Sequence, residues 1–210
     1  MAYSTVCAPA NARSMSVVWG IAVAIGLGCL WGIAEVTLGT SLHVDQVPFA
    51  GHILILIGIC CALSARRLCP LPGVVMAAGV AAASVRLFGP GPFFVMPAVA
   101  ILLEAALMES CVLFLGNRRV GFAAAGAAAA AYPLLHSFLF KTLFFGLPLT
   151  AVYSGVVQHV GATFRLPHLS GPVLLTLWAV LCLVAGGLVG FAVSETLSVN
   201  SAKAGRSEPR

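Results

Sequence analysis

Residues Val17–Leu38 read VVWGIAVAIGLGCLWGIAEVTL, a run of apolar and small side chains in which Glu35 is the one ionisable carboxylate. A helix needs about 20 such residues to cross ~30 Å of hydrocarbon, so this stretch is long enough to span a bilayer. Five further stretches follow the same reading: Phe49–Leu63, Val74–Leu87, Phe93–Leu115, Gly121–Phe140 and Val173–Val193. The second and third candidates are short and are expected to pack as inner or tilted helices. Hydrophobic residues make up 60% of the chain and charged residues 8%, with a mean hydropathy of +1.06, whereas soluble domains carry about 25% charged residues. The expected fold is all-α, a polytopic membrane bundle of about six transmembrane helices, with no room for a soluble catalytic domain.

Charge placement orients that bundle. With six crossings, Arg13, Arg66, Arg67, Arg118, Arg119, Lys203, Arg206 and Arg210 share one side, against Arg86, Lys141 and Arg165 on the other. By the positive-inside rule both termini are cytoplasmic, and the localisation implied is a cell membrane, crossed several times. Residues 1–16 then form a cytoplasmic tail, 17–193 the transmembrane domain and 194–210 a polar cytoplasmic tail expected to be disordered. The net charge of +5 is this topogenic surplus, and no nucleic-acid partner is read from it. The first apolar run exceeds the 7–15 residues of a signal-peptide core and is expected to be retained.

The connections are short until the last outer one, Lys141–Pro172. Phe88–Pro92 carries a Gly-Pro-Gly-Pro run that stops any helix. Within 148–169, Val152, Val156, Val157, Val160 and Phe164 recur at helical spacing while Ser154, Gln158, His159 and Thr163 take other positions. That pattern predicts an amphipathic segment lying at the membrane interface. On the first helix Gly20, Ala24, Gly28 and Gly32 stand four apart and form a ridge of small side chains. Such a ridge admits another helix backbone to backbone, from this chain or from a partner. Ala123–Ala131 forms a second smooth surface, expected to be buried in protein.

Ionisable groups inside a bilayer cost roughly 2.5–3.5 kcal/mol on insertion scales, so each needs a partner or a purpose. Glu104 falls about 16 Å down its helix, near the midplane, and is the first candidate for a ligand contact. Glu109 lies nearer the cytoplasm, about 140° around the same helix, where Arg118 or Arg119 is the expected partner. Glu35, His43, Asp45 and His52 cluster by sequence at the outer end, where Arg86, His136, Lys141, His159 and His168 also fall under the six-span reading. Together they outline an outward-facing polar pocket floored by Glu104. Imidazoles and carboxylates can ligate a transition metal, but no H-x-x-x-H or H-E-x-x-H spacing occurs, so metal binding is left open. The seven cysteines show no C-x-x-C pair and read as small hydrophobes. Neither G-x-S-x-G nor a P-loop is present, so the chain is expected neither to hydrolyse ATP nor to be an enzyme.

Trp31–Gly51 (WGIAEVTLGTSLHVDQVPFAG) and Arg86–Glu109 (RLFGPGPFFVMPAVAILLEAALME) are similar to bacterial six-helix membrane proteins, and the layout resembles the substrate-binding S components of energy-coupling factor transporters. That resemblance implies an outward solute pocket capped by loops, and as partners a separate coupling transmembrane subunit and a pair of ATPases. In that family small residues of the first helix dock the coupling subunit. The matching positions are Gly20, Ala24 and Gly28 with Gly32 continuing the ridge, or alternatively Ala22 and Gly26. The function expected is capture of a small-molecule or metal solute without catalysis. Its rivals are a membrane-embedded enzyme acting on a lipid-soluble substrate and a structural or assembly subunit.

Overall fold

The computed structural model describes residues 10–44, 50–89, 95–166 and 168–204. Seven helices run through them: α1 (Ala10–Val44), α2 (Ala50–Leu68), α3 (Val74–Leu87), α4 (Val95–Leu115), α5 (Arg119–Phe145), α6 (Leu149–Phe164) and α7 (Gly171–Ala204). Five of them are long and apolar enough to cross a membrane. The short α3 is apolar too, but its 14 residues rise only about 21 Å.

The helices close on one another. α1 packs on α2 and α3, α3 on α4, α4 on α5, α5 on α7, and α7 returns to α2, which also touches α3 and α5. α6 lies against α5 and α7. The interior is filled by Trp31, Ile59, Leu63, Met108, Val112, Phe122 and Leu174, each almost wholly buried. The outside is as apolar as the inside: Val18, Trp19, Val120, Phe114, Leu143 and Leu188 all lie at least 63% exposed. A surface of that kind is sustained by lipid, and the molecule has the build of a multi-pass membrane protein.

Several helices outrun the apolar stretches that announce them. Thr37, Thr40 and Ser41 donate their hydroxyls to the carbonyl oxygens of Ile33, Val36 and Thr37, at 2.8, 2.7 and 3.1 Å. Hydroxyls satisfied one turn back do not compete with the helix for solvent, so α1 continues to Val44 rather than ending at Leu38. At the other end of the chain α7 is helical to Ala204, beyond the apolar stretch that ends at Val193, and residues 205–210 of the expected disordered tail lie outside the described residues. Ser194 and Thr196 bond back to Phe191 and Ala192, and Glu195 pairs with Arg119. α5 runs on to Phe145 through Pro133 and stops where Gly146 turns left-handed (φ 63°), with the Leu147 N–H donating to the carbonyl of Lys141 at 3.3 Å.

α6 takes up the amphipathic segment. Val152 and Val160 are buried, Val156, Val157 and Phe164 pack against the core, and Ser154, Gln158 and His159 are exposed.

The small-residue ridge of α1 is covered from within this chain. Gly20 faces Cys69 and Leu71, Gly28 lies on the Ala78 carbonyl and Gly32 on the Ala82 carbonyl, while Ala24 is fully buried. A side chain at Gly28 or Gly32 would drive α1 off α3, so the ridge admits a helix of this chain backbone to backbone. The Ala123–Ala131 surface likewise meets α7. Gly126 and Gly186 approach each other's carbonyls, and Gly190 approaches the carbonyl of Phe122.

Glu109 is tied down at the end of the bundle formed by the α2–α3 and α4–α5 turns. Its carboxylate accepts the backbone N–H groups of Gly73 (2.9 Å), Val75 (2.9 Å) and Met76 (3.3 Å), the donors that open α3 and that no helical carbonyl can satisfy. Its ionic partner is Arg66, at 3.3 Å, and not Arg118 or Arg119 as expected. Arg66 also donates from Nε to Asn117 Oδ1 at 2.8 Å and from Nη1 to the Leu71 carbonyl, so both charges are buried and saturated.

Candidate functional site

At the opposite end of the bundle, five helices surround a cavity of about 380 Å³. The C-terminal parts of α1, α3 and α5 and the N-terminal parts of α2 and α4 converge there, because successive helices alternate in direction. α1 contributes Glu35, Gly39 and Thr40, α2 Gly51, Leu54 and Ile55, α3 Arg86, α4 Pro97, Ala100, Ile101 and Glu104, and α5 Tyr132, Pro133 and His136. The walls are mostly apolar with a few polar groups set among them, the usual composition of a small-molecule site, and the volume lies at the lower end of such pockets.

Glu104 is 6% exposed and lies near the middle of α4. Among the described residues, no hydrogen bond or ion pair engages it. Arg86 closes the last turn of α3, where Gly89 presses on it: a Cβ added at Gly89 would come within 2.9 Å of Nη1. Its Nε and Nη1 are buried with no hydrogen-bond acceptor. One cavity therefore contains an arginine and a glutamate that are not in ion-pair contact with each other. On the α5 wall, Tyr132 and His136 share a hydrogen bond of 2.8 Å between the phenol oxygen and Nδ1, and the imidazole stacks on Phe140 at 4.0 Å between ring centres. That pair fixes the ring of His136 at the cavity edge.

Of the residues expected from sequence to form the pocket, Glu35, Arg86, Glu104 and His136 line this cavity. His52 does not. It stands edge-on to Trp178 at 4.4 Å, with Nε2 buried and unpartnered. Lys141 and His159 are exposed, one on α5 and the other on the outer face of α6, and both lie outside the cavity lining. Asp45 and the side chain of His43 fall outside the described residues. His52, His136 and His159 therefore do not converge, and among the described residues no group of three His, Cys, Asp or Glu side chains is placed to hold a metal ion. Tyr132 and Thr40 are lining residues that sequence reasoning missed. Tyr132 was within reach of it, since a phenol four residues before His136 falls on the same helical face.

Comparison of the chain with protein-family models, with curated proteins and with solved structures returns no match.

Proposed function

We propose that this multi-pass membrane protein is the solute-capturing subunit of an uptake system in a bacterial inner membrane. In this reading six helices cross the bilayer, both termini are cytoplasmic and the cavity opens outward. The observation that carries it is the cavity with Arg86 and Glu104 both lining it and, among the described residues, neither in an ion pair. Ionisable side chains in a membrane bundle are expensive and are retained where they meet a ligand or a transported group. The buried, saturated Arg66–Glu109 pair at the other end is what a purely architectural ion pair looks like in the same molecule.

The charge distribution supports the orientation, since the arginine-rich end carries Arg66, Arg67, Arg118 and Arg119 and the cavity lies at the other end. The resemblance to S components of energy-coupling factor transporters agrees with a capture role, and implies a coupling subunit and ATPases as partners. With the Gly20–Gly32 ridge occupied by α3, the alternative small pair Ala22 and Gly26, both on the outward side of α1, is the contact available to such a subunit.

Native mass spectrometry of protein gently extracted from its own membranes tests capture. A non-covalent small-molecule adduct is expected on the unaltered chain. It should be lost from an Ala100→Phe variant that fills the cavity yet melts cooperatively in detergent. An unaltered chain without any adduct, or one retained in that folded variant, contradicts the proposal.

A further inference from the structure

The two unpaired charges define the chemistry of the solute more narrowly, on the premise that the cavity captures one. We infer that the cavity takes a small zwitterion, with an anionic group held by Arg86 and a cationic nitrogen held by Glu104. Arg86 lines the cavity, Nε and Nη1 of its guanidinium have no acceptor, and a guanidinium is complemented by the oxygens of a carboxylate or phosphate. Glu104 is buried on the α4 wall without a donor among the described residues, and a carboxylate in that position is complemented by an ammonium or guanidinium group.

The two side chains face one cavity and are not in ion-pair contact with each other. A solute with only one charge leaves the other side chain desolvated and unpaired. A molecule bearing both charges, separated by a short apolar body, satisfies both ends at once. The intervening lining is suited to that body, since Leu54, Ile55, Ala100 and Ile101 offer hydrocarbon. Glu35, on the α1 wall of the same cavity, adds negative potential beside Glu104 and favours the cationic end there.

Matched probes decide the matter. The full chain in detergent micelles is titrated with ω-amino carboxylates of increasing chain length, with the carboxylates lacking the amine, and with the amines lacking the carboxylate, following intrinsic tryptophan fluorescence. At least one amino carboxylate is expected to bind about tenfold or more tightly than both of its singly charged counterparts. Arg86→Gln should abolish its advantage over the amine, and Glu104→Gln its advantage over the carboxylate, each variant keeping a cooperative melt. A singly charged probe that binds as tightly as the amino carboxylates, or a series in which no amino carboxylate binds, overturns the inference. Capture itself is judged separately, by the adduct on the native chain. An adduct that is purely anionic or purely cationic sinks the zwitterion and leaves capture standing, whereas absence of any adduct removes both.

Discussion

Arg66 and Arg86 each sit in the last turn of a helix, α2 and α3, the first paired with Glu109 of α4 and the second sharing a cavity with Glu104 of α4, and their surroundings give them opposite roles. Arg66 is saturated by Glu109, Asn117 and Leu71, while Arg86 keeps two buried donors free of any acceptor. Removing a member of the first set is a matter of stability. Glu109→Ala strands Arg66 and uncaps three N–H groups of α3, and breaking a buried pair costs about 3–5 kcal/mol. Chemical or thermal unfolding in detergent should show that loss, and an unchanged midpoint would mean that the pair contributes nothing. Removing a member of the second set is a matter of binding. Glu104→Gln should weaken the bound zwitterion at least tenfold, equivalent to ~1.4 kcal/mol, with the melting temperature held or raised because a buried charge has gone. Full binding with a lowered melting temperature would make Glu104 a structural residue. Sequence identified Glu104 and Arg86 by the cost of a charge within or beside an apolar span. It could not pair Glu109 correctly, because Arg66 is 43 residues away and only the packing of α2 against α3 and of α3 against α4 brings the two together.

At the scale of elements, the helices were legible as apolar runs and their ends were not. Hydropathy marks the part of a helix that meets lipid or core, and the polar turns that extend α1 and α7 are held by hydroxyls bonding back along the helix, which leaves no apolar signature. The glycine ridge of α1 was visible as a pattern, but spacing does not say what covers a ridge. α3 and the turn before it cover it, so substitution there acts on the fold. Gly28→Leu should collapse the folded fraction, since even a Cβ meets the Ala78 backbone. Gly26→Leu, at an open position with nothing within 4 Å, should leave the melt unchanged and would weaken only a docked coupling subunit. Gly190→Leu on α7 should behave like Gly28→Leu, because α5 offers it no space and overpacking costs about 1–3 kcal/mol or more. Size-exclusion profiles and melting curves of the three variants check the pattern. A stable Gly28→Leu protein would show that the α1–α3 contact is dispensable.

For the whole molecule, composition was enough to place the chain in a membrane and to make it all-helical, because no soluble core accommodates so much apolar surface. The gathering of Glu35, Arg86, Glu104 and His136 around one cavity follows from antiparallel neighbours bringing alternate helix ends together. The exclusion of Lys141, His52 and His159 depends on rotation about each helix axis, which their sequence positions did not reveal. The proposed orientation turns the cavity outward and the arginine-rich end to the cytoplasm. The most direct test places single cysteines, in a chain stripped of its own, at Gly51 on the cavity lining and at Arg118 at the opposite end. Intact cells are then treated with a thiol reagent that cannot cross membranes. Gly51 has open space around its Cα and Arg118 is exposed, so neither substitution should disturb the fold. The account predicts labelling of the cysteine at position 51 from outside and of the one at 118 only after the membrane is opened. Labelling at 118 in intact cells, with 51 protected, would contradict it.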